Sequence, residues 1–400
     1  MSRADDTLAE ELAALAAAGR SRQRRTVAAR EPGGVRVSVA GRACLAFCSN
    51  DYLGLADHPR VVDAFCTAAR RWGVGSGASH LVSGHDAEHA TLEEELAQFV
   101  ARPRALLFST GYMANLAVAS VLVGRGDHVL EDRLNHASLL DAGLASGAKF
   151  ARFQHSDVAG LQARLLRLDR PARTLVMSDG VFSMDGDVAP LRELAGTCRN
   201  AGAQLLVDDA HGFGVLGATG AGSVQEAQLG LDDVPVLMCT LGKAAGTFGA
   251  FVAGSATLIE ALLQRARTYI YTTALPPAVA AATRASLHVM RDEPWRRART
   301  LEHAARFRDG VTALGLHAMP SRTPIQPVLV GAEAAAVAAS EALFELGFWV
   351  PAIRPPTVPA GTSRLRFTFS AAHTAEHVDR LLDALATLRR RGKFPDPEPA

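Results

Sequence analysis

Apolar positions follow two periods along the chain, and each period predicts a different element. Short apolar runs bounded by Gly, Asp or Asn indicate buried strands, whereas apolar positions every three or four residues indicate helices. From residue 87 onward the two patterns alternate. The predicted strands are 105–108, 128–130, 149–153, 174–178, 205–208, 234–238 and 250–253, and the predicted helices include 87–100, 111–123, 158–168, 190–200, 256–266 and 277–291. This alternation predicts a mainly parallel seven-stranded sheet with helices on both faces.

The chain divides into a large domain with a flanking segment on each side. A chain of 400 residues is long enough for two domains. Residues 1–55 predict an N-terminal helix (5–19) and an arm with two short strands (35–39 and 43–47), and residues 56–292 form the large domain. A break at Glu293-Pro294 opens a smaller α+β domain, 293–391. Its predicted elements are helices 295–314, 333–346 and one from 373, and strands 326–330, 349–353 and 365–369. The Pro-rich tail, 392–400, is predicted to be disordered.

Composition narrows the functional classes. Lys and Arg number 42 against 41 for Asp and Glu, so there is no basic excess for nucleic-acid binding. No apolar run reaches the roughly 18 residues of a membrane span. The acidic N-terminus resembles neither a signal peptide nor a transit peptide, and the five cysteines contain no CxxC pair. These features predict a cytoplasmic protein with reduced thiols and without membrane contact.

One lysine stands out as a candidate for covalent chemistry. Lys243 follows an apolar run and lies among small residues in Thr240-Leu241-Gly242-Lys243. Burial there would lower the pKa of its amine and favour Schiff-base formation. A lysine in a Gly-rich turn is more often solvated. The functional interpretation gains support from Asp208 and His211, which end an apolar strand. A lysine for the aldehyde and an acid for the pyridine nitrogen are what pyridoxal phosphate (PLP) requires.

Further polar groups follow other predicted strands. In parallel sheets, ligands bind beyond the carboxyl ends of the strands. Gly111 and Tyr112 open a helix whose N–H groups could hold a phosphate, and His136 could stack on a ring. Taken alone, each of these segments is more often an ordinary turn or a structural histidine. Their shared position after strands indicates one common site.

Two motifs suggest other functions. Gly212–Gly217 matches GxGxxG after a strand, and Asp232 lies near the spacing of a ribose ligand, as in a NAD-dependent dehydrogenase. The intervening Asp208–His211 segment, the lack of a clear following helix and the unexplained Lys243 count against that interpretation. His85-Asp86-Ala87-Glu88-His89 matches the inverted zinc pattern H-x-x-E-H. It is short and has no obvious third ligand, so a polar helix start is the simpler interpretation.

Six motifs together resemble the α-oxoamine synthases, PLP enzymes of the aminotransferase fold type I. The resemblance runs from about Arg22 to the last helix. It is carried by SNDYLGL, GSGASHLVSG, DGVFSMDGD, VDDAHGFGVLG, TLGK and IRPPTVPAGTSRLR, which begin at Ser49, Gly75, Asp179, Val207, Thr240 and Ile353. It implies a PLP-binding large domain, a smaller C-terminal domain and a homodimer with shared active sites.

The resemblance also implies roles for individual residues. Lys243 would bind PLP covalently and act as the catalytic base, Asp208 would face the pyridine nitrogen, His136 would stack on the ring, and His211 and Ser183 would lie near the phenolic oxygen. The implied phosphate ligands are Gly111, Tyr112, Thr240 and, from the partner subunit, Thr273. The implied substrate ligands are Asn50, Arg366 for the amino-acid carboxylate, and Arg24, Arg354 and Thr357 at the far end of the acyl chain.

The last motif implies a substrate pair. It indicates decarboxylative condensation of L-alanine with a pimeloyl thioester, in which the second carboxylate would meet the positive charge of Arg24 and Arg354. A sister synthase that joins glycine or serine to another acyl-CoA remains the alternative. The turn Ala244–Gly249 departs from the family's usual bulkier or more Gly-rich run, which leaves fine specificity open.

Overall fold

The structure is a computed structural model, and it describes residues 3–17, 20–168 and 173–394. The N-terminal part contains a helix and three short strands. These are α1 (Arg3–Ala17), β1 (Val27–Arg30), β2 (Arg36–Val39) and β3 (Arg42–Ala46). Residues 18–19 of the predicted first helix and residues 395–400 of the predicted disordered tail lie outside the described residues.

A long alternation of helices and strands follows. Its first half consists of α2 (Pro59–Trp72), α3 (Ala87–Phe99), β4 (Arg104–Phe108), α4 (Gly111–Leu122), β5 (His128–Asp132), α5 (Ala137–Ala145), β6 (Lys149–Phe153), α6 (Val158–Leu165), β7 (Thr174–Asp179) and α7 (Leu191–Ala201). Its second half consists of β8 (Gln204–Asp208), α8 (Ser223–Glu226), β9 (Val236–Thr240), β10 (Ala250–Gly254), α9 (Ala256–Arg265), α10 (Arg267–Ile270) and α11 (Pro277–Asp292).

The seven strands β4 to β10 form one sheet, in the order β4-β10-β9-β8-β7-β5-β6. Only β10 runs antiparallel to its neighbours. Successive residues of the central strands face opposite sides: Leu205 and Val207 belong to one apolar cluster, and Leu206 belongs to the other. The central strands are therefore apolar on both faces, and helices cover each face of the sheet. The predicted mainly parallel seven-stranded sheet is confirmed.

The C-terminal part begins with the long helix α12 (Trp295–Ala313). It continues with β11 (Ile325–Gly331), α13 (Glu333–Glu345), β12 (Phe348–Trp349), β13 (Ala352–Ile353), β14 (Ser363–Thr368) and α14 (Ala375–Arg390). Strands β11, β14 and β13 form a second sheet, while β12 joins the arm strands β1 to β3. An apolar cluster of its own includes Phe307, Phe367 and Phe394.

One predicted strand is wrong, and one strand was not predicted. The segment 349–353 is not a single strand: β12 pairs with β3, and β13 pairs with β14 in a different sheet. Pro351 lies between them, and its missing N–H cannot continue a ladder. Strand β1 has no clear alternation of buried and exposed residues, so its sequence carries no strand pattern.

None of the helices in the described ranges is long and apolar enough to span a membrane.

The Gly-rich segment between α2 and α3 provides a test of local packing. A Cβ on Gly84 would lie 2.1 Å from the carbonyl oxygen of Ala78, and that oxygen accepts a hydrogen bond from Ala274 N–H at 3.0 Å. We expect Gly84→Ala to lower the free energy of unfolding by about 1–3 kcal/mol, measured as a lower midpoint in denaturant. Gly75→Ala is the matched control, because a Cβ at that position would meet no heavy atom within 4 Å. Equal midpoints for both variants would contradict this account.

Candidate active site

The candidate site lies at the carboxyl ends of the central strands β7, β8 and β9. Asp179 and Asp208 are neighbours in the register of β7 and β8, and Lys243 follows β9 by three residues. The pocket beyond these ends is lined by Gly111, Tyr112, His136, Ser138, Asp179, Val181, Ser183, Asp208, Ala210, His211, Met238, Thr240 and Lys243. Every cofactor-binding residue predicted from the sequence lines it, except Thr273.

Lys243 is held in a tight loop beyond β9. Gly246 N–H donates to the Lys243 carbonyl at 2.8 Å, and Thr247 N–H donates to the Leu241 carbonyl at 3.0 Å. Gly246 has φ +68°, and a Cβ there would lie 2.5 Å from Ala56 N. The loop therefore packs directly on the backbone at the end of the Ser49–Leu55 motif, which requires glycine at this position.

Burial lowers the pKa of the Lys243 amine to about 8, although the carboxylates of Asp208 and Asp179 act in the opposite direction. The Lys243 side chain is only partly covered and still reaches the pocket. With this pKa, about a tenth of the amine is unprotonated at pH 7, far more than for an ordinary lysine, and the unprotonated amine is the form that attacks a carbonyl.

A chain of hydrogen bonds leads away from Lys243. Its Nζ lies 2.9 Å from His211 Nε2, His211 Nδ1 lies 2.6 Å from the Tyr52 hydroxyl, and that hydroxyl donates to Asn50 Oδ1 at 3.2 Å. Because Tyr52 donates to Asn50, the tautomer that satisfies every contact has His211 Nδ1–H donating to Tyr52 and Nε2 accepting from Lys243. Burial, followed by the positive charge of Lys243, holds the pKa of His211 well below its usual value, so this imidazole is neutral.

Asp208 is fixed on both carboxylate oxygens. Oδ2 accepts from the Asn115 side chain at 2.8 Å, and Oδ1 accepts from Ala210 N–H at 3.1 Å. Asn115 is fully buried and also donates to the Ser138 hydroxyl at 2.9 Å. The carboxylate of Asp208 is therefore held in one orientation at the wall of the pocket.

The other aspartates near the strand ends differ in role. Burial, followed by the charge of Asp208, raises the pKa of Asp179 well above its usual value, and its carboxyl oxygens accept from His136 N–H. Asp209 points away from the pocket and accepts from the backbone N–H and the hydroxyl of Ser223, both at 2.7 Å. Of the pair 208–209, only Asp208 faces the site.

Two features suit an anion. The twelve-residue helix α4 begins at Gly111, and its N-cap Thr110 accepts from Met113 N–H. The N–H groups of Gly111 and Tyr112 are thus at a helix N-terminus that lines the pocket. Thr240 lies beside them, with its hydroxyl donating to the Gly249 carbonyl at 3.2 Å.

A buried arginine lies beside the pocket. Arg366 on β14 is 6% exposed, and its Nε donates to the Ser183 carbonyl at 2.6 Å. Its Nη2 lies 3.4 Å from Asn50 Oδ1. Strand β14 of the C-terminal part therefore brings a guanidinium to the edge of the pocket beside Asn50.

Several predicted residues do not line the pocket. Thr273 is exposed, as are Arg24 and Thr357. Arg354 is half-buried, and its Nη2 donates to the Ser21 carbonyl at 3.0 Å. That bond ties the Pro-rich loop after β13 to the arm that carries Arg24.

The structure also explains the two competing motifs. The glycines 212–217 form a tight turn, and the following helix α8 has only four residues, Ser223–Glu226. A dinucleotide-binding motif requires a longer helix there, whose N-terminus binds the pyrophosphate. In the inverted zinc pattern, Glu88 accepts from Arg284 at 2.7 Å, so this carboxylate forms an ion pair with an arginine.

Comparison with known proteins identifies the family. The family model described as Aminotransferase class I and II matches residues 42–385. A curated relative from Saccharophagus degradans, named 8-amino-7-oxononanoate synthase, is 59% identical over 388 residues, which cover 96% of this chain and 97% of the relative. The chain belongs to the 8-amino-7-oxononanoate synthase family.

Solved structures confirm the fold. Serine palmitoyltransferase from Sphingomonas wittichii is 33% identical, with a TM-score of 0.92 over 98% of this chain and 99% of that one. A variant of the S. paucimobilis enzyme, solved with a bound PLP–myriocin aldimine, is 31% identical, with a TM-score of 0.91 over 96% of this chain and 97% of that one. The predicted fold type I PLP-dependent transferase is therefore confirmed, and sequence identity is higher to the relative from Saccharophagus degradans than to these palmitoyltransferases.

The pocket fits the PLP that this family uses. It combines an amine with a lowered pKa at Lys243, an oriented carboxylate at Asp208 and a helix N-terminus at Gly111. A Cβ on Gly111 would lie 3.3 Å from the Met238 side chain, and both residues line the pocket. The aldehyde of PLP requires an amine, its pyridine nitrogen requires a carboxylate, and its phosphate is suited to a helix N-terminus.

The roles of three site residues were not predicted from the sequence. Tyr52 lies within the quoted SNDYLGL motif, but its contact with His211 spans 159 positions. Asp179 ends β7 as Asp208 ends β8, and this shared position at a strand end could have indicated a site role for Asp179. Asn115 is a polar residue inside an apolar helix, and buried polar groups of this kind have partners.

The Asn115 contact predicts a defined loss. Asn115→Ala removes the donor to Asp208 Oδ2, and leaving a buried carboxylate oxygen without its partner costs about 1–3 kcal/mol. We expect PLP affinity, measured by fluorescence titration of the PLP-free protein, to fall roughly 5- to 150-fold. Ser120→Ala on the same helix is the control, since Ser120 only donates to its own helix at Ala117. Unchanged affinity in Asn115→Ala would contradict the role of this contact.

The lowered pKa of Lys243 predicts a pH profile. Because the free amine forms as pH rises through about 8 rather than the ordinary 10.5, labelling of Lys243 by an amine reagent in PLP-free protein should be half-maximal near pH 8. Peptide mass spectrometry reads out the label, with the exposed Lys149 as an internal reference. Asp208→Asn should move the midpoint lower, because the Asp208 carboxylate raises this pKa. A midpoint near 10.5 would show that burial does not act on this amine.

Proposed function

We propose that this chain condenses L-alanine with a pimeloyl thioester, giving 8-amino-7-oxononanoate, CO2 and a free thiol, in biotin biosynthesis. The observation that carries the proposal is the convergence of Lys243, His211 and Asp208 on one pocket. The chain is 59% identical to a relative named for this product. The arrangement is suited to removing a proton next to an amino group.

The proposed cofactor ligands follow the geometry of the pocket. When bound, PLP supplies an electron sink that stabilises a carbanion at the amino-acid Cα. The carboxylate of Asp208, fixed by Asn115, would keep a pyridine nitrogen protonated. Gly111, Tyr112 and Thr240 would bind the phosphate.

The remaining cofactor contacts come from three side chains at the pocket wall. His136 would stack on the ring, and its own orientation is fixed by Ser138, whose hydroxyl lies 2.8 Å from His136 Nδ1. His211 and Ser183 would lie near the phenolic oxygen. These roles remain proposals that rest on the placement of the three residues in the pocket.

Lys243 would carry the proton. Its Nζ would remove the Cα proton of the substrate and would return a proton after CO2 is lost. His211 Nε2, at 2.9 Å, would hold Nζ in position. A lysine with a pKa near 8 can serve in both directions at neutral pH.

Arg366 would bind the carboxylate of alanine, and Asn50 would contact the substrate beside it. A guanidinium binds a carboxylate through two parallel hydrogen bonds. Arg366 is pre-oriented by the Ser183 carbonyl, so its side chain loses little freedom on binding. This arrangement favours a small amino acid close to Lys243.

The far end of the acyl chain would lie toward the arm. Arg24, Arg354 and Thr357 are the proposed ligands there, and the Arg354–Ser21 hydrogen bond keeps the arm and the Pro-rich loop together. Two positive charges favour an acyl group that ends in a carboxylate over a plain fatty one. This charge is the reason to prefer a pimeloyl substrate.

The proposed assembly is a cytoplasmic homodimer with shared active sites. Thr273 is exposed rather than placed in the pocket of its own chain, as expected for a residue that reaches the phosphate of the partner. Exposed apolar side chains lie near it and in the Gly-rich segment: Tyr271 is 71% exposed, Val74 88% and Val82 81%. A second copy of the chain would cover such side chains.

The alternative is a sister synthase that uses glycine or serine with another acyl-CoA. It is supported by the fold shared with serine palmitoyltransferase. Its support is weaker, because identity to that enzyme is 33% against 59% for the relative from Saccharophagus degradans. Choice of amino acid separates the two.

We expect the PLP-loaded protein to release thiol from pimeloyl-CoA with L-alanine, and much more slowly with glycine or L-serine. Thiol is measured with a chromogenic disulfide. Lys243→Ala should abolish release, whereas Lys149→Ala, at an exposed position on β6, should retain it. Faster release with serine than with alanine would favour the sister synthase, and normal turnover by Lys243→Ala would overturn the proposed mechanism.

A further inference from the structure

Three histidines outside the Lys243 pocket lie together at the start of α3. His80 comes from the Gly-rich segment, His85 from the turn before the helix, and His89 from its first turn. One ring nitrogen from each lies within 4.8 Å of the others. None of the three lines the pocket of Lys243. His80 is the third residue that the H-x-x-E-H motif lacked in the sequence.

The first two rings are already in direct contact. Nδ1 of His80 and Nδ1 of His85 are 2.9 Å apart, so one of them donates a proton to the lone pair of the other. His80 is 7% exposed and stacks on Tyr269, with ring centroids 5.0 Å apart and planes 5° apart. His85 is exposed. One ring is therefore fixed by packing, while the other faces solvent and can turn.

The third ring is oriented by a backbone carbonyl. His89 Nε2 lies 2.7 Å from the Leu275 carbonyl oxygen, which requires a proton on Nε2 and leaves the Nδ1 lone pair as the acceptor. Nδ1 accepts from Asp86 N–H at 3.0 Å. A ring N–H held by a carbonyl while the other nitrogen presents its lone pair is the usual second contact of a metal-binding histidine.

We propose that His80, His85 and His89 bind one divalent transition-metal ion, of which Zn²⁺ is the best match, at the junction of the Gly-rich segment and α3. Imidazole nitrogens suit zinc, and zinc accepts three of them with a fourth ligand. The Asp86 carboxylate, with Oδ2 4.0 Å from His89 Nδ1, or a water would complete the set.

Binding requires small movements of the rings. Zn–N bonds of about 2.0–2.1 Å in a tetrahedron place the nitrogens roughly 3.4 Å apart, which is closer than the widest separation in the cluster. The ion would take the place of the hydrogen bond between His80 and His85, and the ring that donates in that bond would carry its proton on Nε2 instead. It would also replace the hydrogen bond from Asp86 N–H to His89 Nδ1. The exposed ring of His85 makes the largest adjustment.

The site would be structural rather than hydrolytic. Glu88, the base of an H-x-x-E-H zinc enzyme, is paired with Arg284. The cluster lies where the Gly-rich segment meets the chain before α11: Ser76 donates to the Leu275 carbonyl at 2.6 Å, and Ala274 N–H donates to Ala78. An ion there would fasten these two segments to α3.

The test uses the PLP-loaded, full-length protein and Co²⁺ as a spectroscopic substitute for Zn²⁺. We expect saturable ligand-field absorption with one Co²⁺ per chain, displaced by Zn²⁺, and a Zn²⁺-dependent rise in Tm. His85→Gln and His80→Gln should each weaken Co²⁺ binding at least tenfold and remove the Tm shift. His317→Gln, at an exposed histidine of the small domain, is the matched control and should leave both unchanged.

Two results would overturn the site. The first is the absence of a saturable signal in the parent protein. The second is equal binding by the parent and His85→Gln, which would assign the metal to PLP or to other histidines. His85 is exposed, so His85→Gln should fold normally and remain decisive if His80→Gln, which loses the stack on Tyr269, does not.

Discussion

The free amine of Lys243 is the feature on which the rest of the site depends. Burial lowers its pKa, and the carboxylates of Asp208 and Asp179 oppose that effect. With less burial the amine would be protonated almost completely at neutral pH, and two fully charged aspartates would favour the protonated form further. The high pKa of Asp179 limits the negative charge in the pocket, so the amine stays near the point at which it can both give and take a proton.

This balance is built from parts that are far apart in the sequence. The loop of Lys243 packs on Leu55 and Ala56 through Gly246. His211 is held by Tyr52 in the same SNDYLGL segment. That segment is in turn fixed to the C-terminal part, since Thr300 donates to the Tyr52 carbonyl at 2.7 Å. The SNDYLGL segment, the loop after β9 and the C-terminal helix α12 are therefore linked by direct contacts around Lys243.

The sequence predicted the parts that depend on local pattern. Buried strands such as β7 and β8 are continuous apolar runs, so their ends and the polar residues after them could be located. The prediction of a single strand over 349–353 was wrong, because apolar character does not show which sheet a strand joins and because Pro351 interrupts the segment. The roles of Asn115 and Tyr52 arise from tertiary contacts that no spacing encodes.

The predicted roles of other residues rest on the family resemblance or concern a second copy of the chain. The predicted roles of Arg24 and Thr357 rest on the resemblance, and both side chains are exposed. Thr273 was assigned to the partner subunit, and its position outside the pocket of its own chain leaves that role a prediction. In the histidine cluster, the motif that contains His85 and His89 could be recognised in the sequence. The third member, His80, was recognised only from the structure, where the Gly-rich segment lies against the start of α3.

The most direct test of the central claim is to reduce the PLP-loaded protein with borohydride and locate the attached pyridoxyl group by peptide mass spectrometry. The chain contains only three lysines, Lys149, Lys243 and Lys393, so the outcome is unambiguous. The account predicts one label per chain, on Lys243 alone. A label on Lys149 or Lys393, or no label in a protein that retains PLP, would contradict it.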